Sequence, residues 1–200
     1  MYAHTFSTAA LTPPFQLEAW RAWYDTVFDV APLAPAAEES FVATNATWTL
    51  RGVTLSRVTS PANTVSRSRS VIRRNGVDHW VVTLSRNTVT RLVTLGKPLE
   101  VAPGTPFILS FGDQSAIERA SDDERLQLIL ARDNFQSIAP LLDGARGIAI
   151  EPTGARMLAD YMLMLDRQMP TLEPECADRL SGAVETMLRA CLAPTVQSRN

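Results

Sequence analysis

The sequence predicts an α+β protein in which a β-barrel or β-sandwich lies between two helical ends. Residues 41–131 contain many short runs of β-branched and aromatic residues separated by turn signals, which is typical of all-β architectures. The segments on either side carry apolar residues at helical spacing. With 200 residues, 46% of them hydrophobic and 20% charged, the chain is long enough to enclose a buried core.

The first predicted element is a helix that begins near Pro13. Thr12 precedes it as a cap, and the prolines at 13 and 14 suit a first turn because the missing N–H groups have no partner there. Its apolar residues recur at helical spacing: Leu17, Trp20, Tyr24, Val27 and Phe28. The proline-rich segment 30–37 is expected to end the helix and to connect it to the strands, so that residues 1–40 form one N-terminal unit.

Strands are predicted through the middle of the chain. Residues 47–59 are rich in β-branched residues, and residues 79–84 alternate so that Trp80, Val82 and Leu84 share one face. Gly96 and Lys97 predict a hairpin turn between 89–95 and 99–101. A buried strand at 107–111 and a last one at 126–130 follow.

The last third predicts an antiparallel pair of helices, one at about 154–168 and one from about 174 to a stop at Pro194, with a short joint between them. Their apolar stripes contain Leu158, Tyr161, Met162, Leu165, Leu180, Val184, Met187 and Leu188. Two interpretations of these stripes are open. They pack on the barrel, or they form a dimer interface.

Composition argues against several classes of function. No apolar run approaches the length that a membrane span needs. A net charge of −2 argues against unaided nucleic-acid binding. With only His4 and His79, and without a nucleophile or phosphate-loop motif, we expect no metal centre, no cofactor and no catalytic residues. Cys176 and Cys191 fall in one predicted helix, roughly 22 Å apart, too far for a disulfide, which fits a reducing cytoplasm.

Charge is distributed unevenly along the chain. Between Arg51 and Arg91 there are eight arginines and a single acid, Asp78, whereas seven acids and three arginines lie between Asp113 and Asp143. Three interpretations of the basic stretch compete: a solvated face, a docking face for another domain, or a pocket wall that holds an anion.

Several short sequence motifs follow one another in an order that is found in a known protein family. They are residues 15–21, the strand phrase 50–58, the arginine-rich 66–74, the turn and strand at 101–104 and 107–109, and residues 128–133. In this order they resemble the N-terminal, AraC-binding-like domain of AraC/XylS-type bacterial transcription regulators. The resemblance implies a cupin-like β-barrel of jelly-roll type at 41–135, a helical dimerisation region at 136–194 and the start of a linker at 195–200. It also implies a C-terminal helix-turn-helix DNA-binding domain that this chain does not contain, whether excised or naturally truncated.

The implied function is effector sensing and dimerisation without catalysis. The partners implied are a small-molecule effector, a second copy of the chain, and DNA only through the missing domain. We expect the barrel to be lined by Trp80, Val82, Leu84, Leu92 and Phe107, with Arg57, Arg73 or His79 as polar anchors. An inward-pointing arginine would predict an organic acid as effector, because a buried guanidinium requires a charged partner.

Two alternatives remain open on the sequence. One is a stand-alone truncated regulator that heterodimerises with full-length partners. The other is a cupin-type metalloenzyme, for which His79 with Glu100 and Asp78 would be a poor ligand set.

Overall fold

The computed structural model describes residues 3–33 and 39–197. Eleven β-strands lie in this part of the chain: β1 His4–Ser7, β2 Asp29–Pro32, β3 Thr44–Leu50, β4 Val53–Ser60, β5 Asn63–Arg67, β6 Trp80–Ser85, β7 Thr90–Thr94, β8 Lys97–Val101, β9 Pro106–Ser110, β10 Ser115–Arg119 and β11 Asp123–Leu130. The α-helices described there are α1 Pro13–Tyr24, α2 Arg69–Asn75, α3 Ala139–Gly144, α4 Pro152–Gln168 and α5 Ala177–Gln197.

The strands form two antiparallel sheets. Sheet A has the order β1-β3-β4-β11-β6-β9, and sheet B has the order β2-β5-β10-β7-β8. Apolar residues of both sheets and of α1 form a shared core between them, including Val58 and Phe107 from sheet A and Val65, Leu92 and Ile117 from sheet B. The predicted α+β class is confirmed, with the two sheets packed face to face as in a jelly roll.

The N-terminal region contributes two strands as well as the predicted helix. Thr12 precedes α1, which begins at Pro13, and the helix buries Leu17 and Trp20 against the interior. β1 pairs with β3, and β2 pairs with β5. The expectation of a connector at 30–37 was therefore wrong for the residues up to Pro32, because Val30 faces the core and extends sheet B. Residues 34–38 lie outside the described residues.

A helical layer covers the outer face of sheet A. Trp48, Leu55, Trp80 and Leu128 of the sheet form one core cluster with the apolar sides of α3, α4 and α5. The helical hairpin predicted from the sequence is confirmed. α4 and α5 approach so closely that a Cβ placed on Gly154 would lie 2.3 Å from the carbonyl oxygen of Cys191.

The predicted stop of the last helix at Pro194 was wrong. α5 continues through Pro194 to Gln197, and the side chain of Thr195 is buried. The Thr195 hydroxyl accepts a hydrogen bond of 2.8 Å from the backbone N–H of Glu151, which ties this last turn to the start of α4. Tertiary contacts of this kind offset the hydrogen bond that proline removes from a helix. Residues 195–197 are thus helical rather than linker, and residues 198–200 lie outside the described residues.

Most of the apolar stripe considered as a dimer interface is buried by the chain itself. Five of its members have 2% or less of their surface exposed: Leu158, Met162, Leu165, Val184 and Leu188. They belong to the core under sheet A and are not accessible to a second copy. For these five residues the structure favours packing on the barrel. Tyr161, Leu180 and Met187 are partly buried against the same core.

Residues 69–75 form a short helix within the region for which the sequence predicts strands. The Ser68 hydroxyl caps its start by accepting a hydrogen bond from the N–H of Val71. Gly76 ends it with a φ of 64°, a left-handed conformation that glycine adopts without strain. The arginine-rich phrase therefore lies on a helix at one end of the sheets.

Candidate functional site

A small cavity lies between the two sheets, beneath α1. Its volume is about 20 Å³, enough for about one water molecule. Its walls are partly apolar and partly charged, and they consist of Trp20, Tyr24, Phe28, Val30, Val65, Ile117, Arg119, Arg125 and Gln127. Since α1 supplies Trp20 and Tyr24, this helix covers the cavity, and any larger occupant would have to move it.

Arg119 is the most deeply buried charge at the cavity. It ends β10, with 1% of its surface exposed, and its Nε lies 3.3 Å from Oδ2 of Asp123. The Nε and Nη1 atoms make no hydrogen bond, and neither does Oδ2 of Asp123. The other oxygen of Asp123 accepts a 2.6 Å hydrogen bond from the hydroxyl of Ser85. Arg119 therefore retains donors without acceptors in a place that water barely reaches.

Arg125 enters the same interior from β11. It is 5% exposed, and its Nη1 donates a 2.9 Å hydrogen bond to the hydroxyl of Ser60. That hydroxyl also accepts from Nδ2 of Asn63. The Ser60 hydroxyl is uncharged, so this hydrogen bond does not neutralise the positive charge of Arg125, and the carboxylate of Asp123 acts on that charge through space.

Tyr24 adds a polar group to the apolar side of the cavity. Its hydroxyl accepts a 2.8 Å hydrogen bond from Asn45, whose carbonyl oxygen accepts from Ser56. Burial raises the pKa of Tyr24 above its usual value of 10.0, so the phenol is neutral at pH 7. Its own O–H proton is then free to be donated to a ligand oxygen.

The interior carries more positive than negative charge. Burial and, to a smaller extent, the neighbouring Arg125 lower the pKa of Arg119 to about 9, while Asp123 and Tyr24 oppose the shift. Burial also lowers the pKa of Arg125. Arg119 remains charged at pH 7 because its pKa lies above this pH, and arginine side chains in general keep their proton in proteins. Among the described residues Asp123 is the single carboxylate that forms an ion pair with either arginine. An isolated buried charge is costly, so this arrangement is chemically suited to receiving an anion.

Arg67 is also buried but has a structural role. Its guanidinium donates to the backbone oxygens of Phe111, Val27 and Val77 and to the side chain of Asn75. These bonds join α2 to the loop after α1 and to the end of β9. Each guanidinium nitrogen of Arg67 donates to an acceptor within the protein, whereas Nε and Nη1 of Arg119 make no hydrogen bond. Arg67 therefore stabilises the fold, and Arg119 keeps buried donors that can bind a ligand.

The predicted lining residues lie in two different core clusters, one on each side of sheet A. Leu92 and Phe107 belong to the core between the sheets, as expected. Trp80, Val82 and Leu84 belong to the cluster under the helices, on the opposite face from the cavity. The alternation of β6 was read correctly, but its inward face was assigned to the wrong side, because the helical layer also demands an apolar surface.

None of the three predicted polar anchors lines the cavity. Arg57 points to the helical layer, where its Nη1 lies 3.2 Å from Oδ1 of the buried Asp166. Arg73 lies on α2, at a shallow surface groove of about 520 Å³. The Nδ1 atom of His79 is buried without a hydrogen bond, away from the cavity lining.

A signal for the true charged residues exists in the sequence of β11. Leu126, Leu128 and Leu130 occupy alternate positions and pack under the helices. Arg125 directly precedes Leu126, and Gln127 lies between Leu126 and Leu128, so both side chains must point the other way, into the space between the sheets. Arg119 carries no comparable signal, since β10 is a short strand without a clear pattern.

The basic stretch divides among several local roles rather than forming one surface. Arg86 pairs with Glu124, and Arg91 lies within 3.5 Å of Glu100 and Glu118 on the outer face of sheet B. Those last three residues border a groove of about 580 Å³ on that face. Arg86 and Arg91 are thus paired with acidic residues on the surface.

Two further properties concern the described residues. No group of three or more histidine, cysteine, aspartate or glutamate side chains there could hold a metal ion. None of the helices in that part of the chain combines the length and the apolar character needed to cross a membrane.

Comparison with known proteins gives a structural relative that matches nearly the whole of this chain. No family model and no curated protein sequence matches the chain. The fold is similar to that of CuxR, an AraC-like transcriptional activator, with a TM-score of 0.86 and 25% sequence identity over 96% of this chain and 70% of CuxR. EutQ of Clostridium difficile has a TM-score of 0.37 and 8% identity over 51% of this chain and 77% of its own. Ectoine synthase from P. lautus has a TM-score of 0.35 and 10% identity over 44% of this chain and 64% of its own.

The likeness to EutQ and ectoine synthase is too weak to indicate anything about function, whereas the likeness to CuxR includes both the sheets and the helical layer. The resemblance to AraC-like regulators drawn from the sequence is therefore confirmed: over nearly its whole length this chain has the fold of an AraC-like transcriptional activator.

Proposed function

We propose that the chain is the effector-sensing and dimerisation domain of an AraC-like transcription regulator, with DNA binding carried by a domain outside this chain. The observation that carries the proposal is the similarity to the activator CuxR over 96% of the chain. A domain of this kind acts where the DNA is, in the cytoplasm, and performs no catalysis.

Effector sensing is assigned to the space between the sheets. Its cavity combines apolar walls with two charged guanidinium groups and a neutral phenol, the mixture that small-molecule sites use for burial and orientation. Surface grooves on the outer face of sheet B are open to solvent and bordered by paired charges, and they offer less enclosure.

Strand β4 supplies a physical route from the cavity to the helices. Ser60 accepts the hydrogen bond of Arg125 on the inner face, and Arg57 of the same strand pairs with Asp166 of α4 on the outer face. An occupant that shifts Arg125 would also shift β4 and so favour one arrangement of the helical layer. Coupling of this type is typically worth about 1–3 kcal/mol.

Dimerisation is assigned to the accessible part of the helical hairpin. Between α4 and α5 lies a groove of about 390 Å³, lined almost wholly by apolar side chains that include Met164, Leu172 and Leu180. Met164 is 39% exposed. A second copy of the chain would cover this surface, which replaces the buried residues of the predicted stripe as the proposed interface.

Sedimentation velocity tests the dimer. We expect the unmodified chain to be a dimer at high micromolar concentration, and we expect Met164→Glu and Leu180→Glu to be monomers, because each places a charge in an apolar contact. Met157→Glu is the matched control, since Met157 is exposed on α4 but lies outside the groove. A monomeric unmodified chain would overturn the dimer, and dimeric variants would overturn the choice of surface.

The metalloenzyme alternative gains no support from the site. The described residues offer no cluster of metal ligands, and His79 lies outside the cavity lining. Heterodimerisation with a full-length regulator would use the same groove as the homodimer.

A further inference from the structure

We infer that the cavity binds the carboxylate of a small organic monoanion, held between Arg119 and Arg125, with the apolar body of the ligand against the underside of α1. This inference rests on the proposed sensing function and specifies the chemical class of the effector.

Charge balance is the first argument. Two guanidinium groups and one carboxylate, that of Asp123, are buried at this point of the interior. One further negative charge would neutralise the group, and a second would reverse the imbalance in a region where uncompensated charge is costly. The cavity is therefore matched to an ion with a single negative charge.

Unused donors are the second argument. Nε and Nη1 of Arg119 are buried and form no hydrogen bond, although Arg119 lines the cavity. Arg125 uses Nη1 on a neutral hydroxyl. Buried donors left without acceptors are rare and destabilising, and a carboxylate offers two oxygens in the planar geometry that guanidinium donors prefer.

The remaining wall indicates the rest of the ligand. The other residues that line the cavity include five apolar ones, Trp20, Phe28, Val30, Val65 and Ile117. An inorganic anion could occupy the charged end of the cavity but would leave this apolar surface uncovered, whereas a short hydrocarbon body would bury apolar area there. Tyr24 stands between the two regions and can donate its hydroxyl proton to a carboxylate oxygen.

The volume of about 20 Å³ implies that binding displaces α1. Residues 13–24 are attached to the sheets through few polar links, among them the bond from the N–H of Phe41 to Oε1 of Gln16 and the bond from Arg21 to the carbonyl of Val30. An outward shift of α1 would enlarge the cavity without breaking either sheet. Trp20 lies on this boundary, so its fluorescence should report occupancy.

The test compares sodium propionate and sodium butyrate with propanamide, the neutral analogue of propionate, at constant ionic strength. Thermal unfolding and tryptophan fluorescence are recorded on the whole chain. We expect both carboxylates to raise the melting temperature and change the fluorescence in a saturable way, and we expect propanamide to do neither. Arg119→Met should weaken carboxylate binding by about ten- to a hundredfold, the usual value of a charge-assisted hydrogen bond.

Two variants control for folding and for net charge. Arg125→Gln keeps a donor for Ser60 and should also weaken binding, which covers the case in which Arg119→Met does not fold. Arg91→Met removes one exposed positive charge outside the cavity and should bind carboxylates as the unmodified chain does. Equal binding by Arg119→Met or Arg125→Gln and the unmodified chain would overturn the site.

The outcomes also separate this inference from the proposed function. If propanamide binds saturably and at least as tightly as propionate, the inference that the cavity selects an anion is wrong, but the proposed sensing function still holds. If neither carboxylate nor amide binds, the anion site is overturned and sensing at this cavity loses its support, while the sedimentation test of the dimer is unaffected.

Discussion

Replacing Gly154 by alanine should separate the two C-terminal helices. A Cβ at this position would lie 2.3 Å from the carbonyl oxygen of Cys191 and 3.2 Å from its carbonyl carbon. A normal contact between a carbon and a carbonyl oxygen is about 3.3 Å or longer, so α4 and α5 would have to move apart by roughly 1 Å. Both atoms at Cys191 are backbone, and no side-chain rotation relieves the clash.

The expected cost follows from two opposing terms. Overpacking of a close contact costs about 1–3 kcal/mol, and a backbone clash belongs at the upper end. Alanine returns up to about 1 kcal/mol through its better helix propensity. Gly154→Ala should therefore lower the free energy of unfolding by about 2 kcal/mol, which for a chain of this size lowers the melting temperature by about 4–8 °C.

Urea unfolding followed by circular dichroism measures the change, and Gly182→Ala supplies the control. A Cβ at Gly182 has no atom within 4 Å, although it too lies in a helix of the pair. That variant should be as stable as the unmodified chain or more stable by up to about 1 kcal/mol. If Gly154→Ala unfolds within about 0.5 kcal/mol of the unmodified chain, the close helix approach described above is refuted.

Two further predictions concern charge. Asp123→Asn leaves two buried arginines without a carboxylate and should lower the free energy of unfolding by about 3–5 kcal/mol in urea titrations; unchanged stability would contradict the excess of buried positive charge. Glu151 caps α4 by accepting hydrogen bonds from the N–H groups of Thr153 and Gly154, which hold its pKa below the usual 4.5. Because this pKa is depressed in the folded state, the stability advantage over Glu151→Gln should be full above about pH 4.5 and disappear as the pH falls through the folded value. An advantage that persists at lower pH would show that the cap does not depend on the charge.

The periodicity of apolar residues predicted the elements in which the local sequence favours a single conformation. α1 begins at Pro13 as its proline pair and cap position indicate, and α4 and α5 form the expected hairpin. The hairpin between β7 and β8 is confirmed, but its turn residues are Leu95 and Gly96, with φ values of 52° and 72°, and Lys97 already belongs to β8. In each case local sequence and tertiary packing favour the same conformation.

Sequence reasoning failed where a strand has two apolar surroundings. Sheet A packs against sheet B on one face and against helices on the other, so the apolar face of β6 could not be assigned to the cavity from alternation alone. The same ambiguity hid the inward orientation of Arg125, which directly precedes Leu126, the first of the leucines that face the helices. Arg119 was missed because its burial depends on the long-range pairing of β10 with β5 and β7. No local sequence pattern predicts this pairing.

The apolar stripe was misassigned to a dimer interface for a related reason. An amphipathic helix requires an apolar partner, but its sequence does not specify whether that partner is the same chain or another. Here the outer face of sheet A is itself apolar and covers Leu158 and Val184. What remains accessible is the smaller groove near Met164.

The most direct test of the central claim is a crystal structure of the chain soaked in sodium bromide, read by anomalous scattering. Bromide carries one negative charge and stands in for the carboxylate of the ligand. The account predicts an anomalous peak in the cavity beneath α1, within hydrogen-bonding distance of both Arg119 and Arg125. Bromide bound at exposed arginines, with the cavity empty of anomalous density, would contradict it.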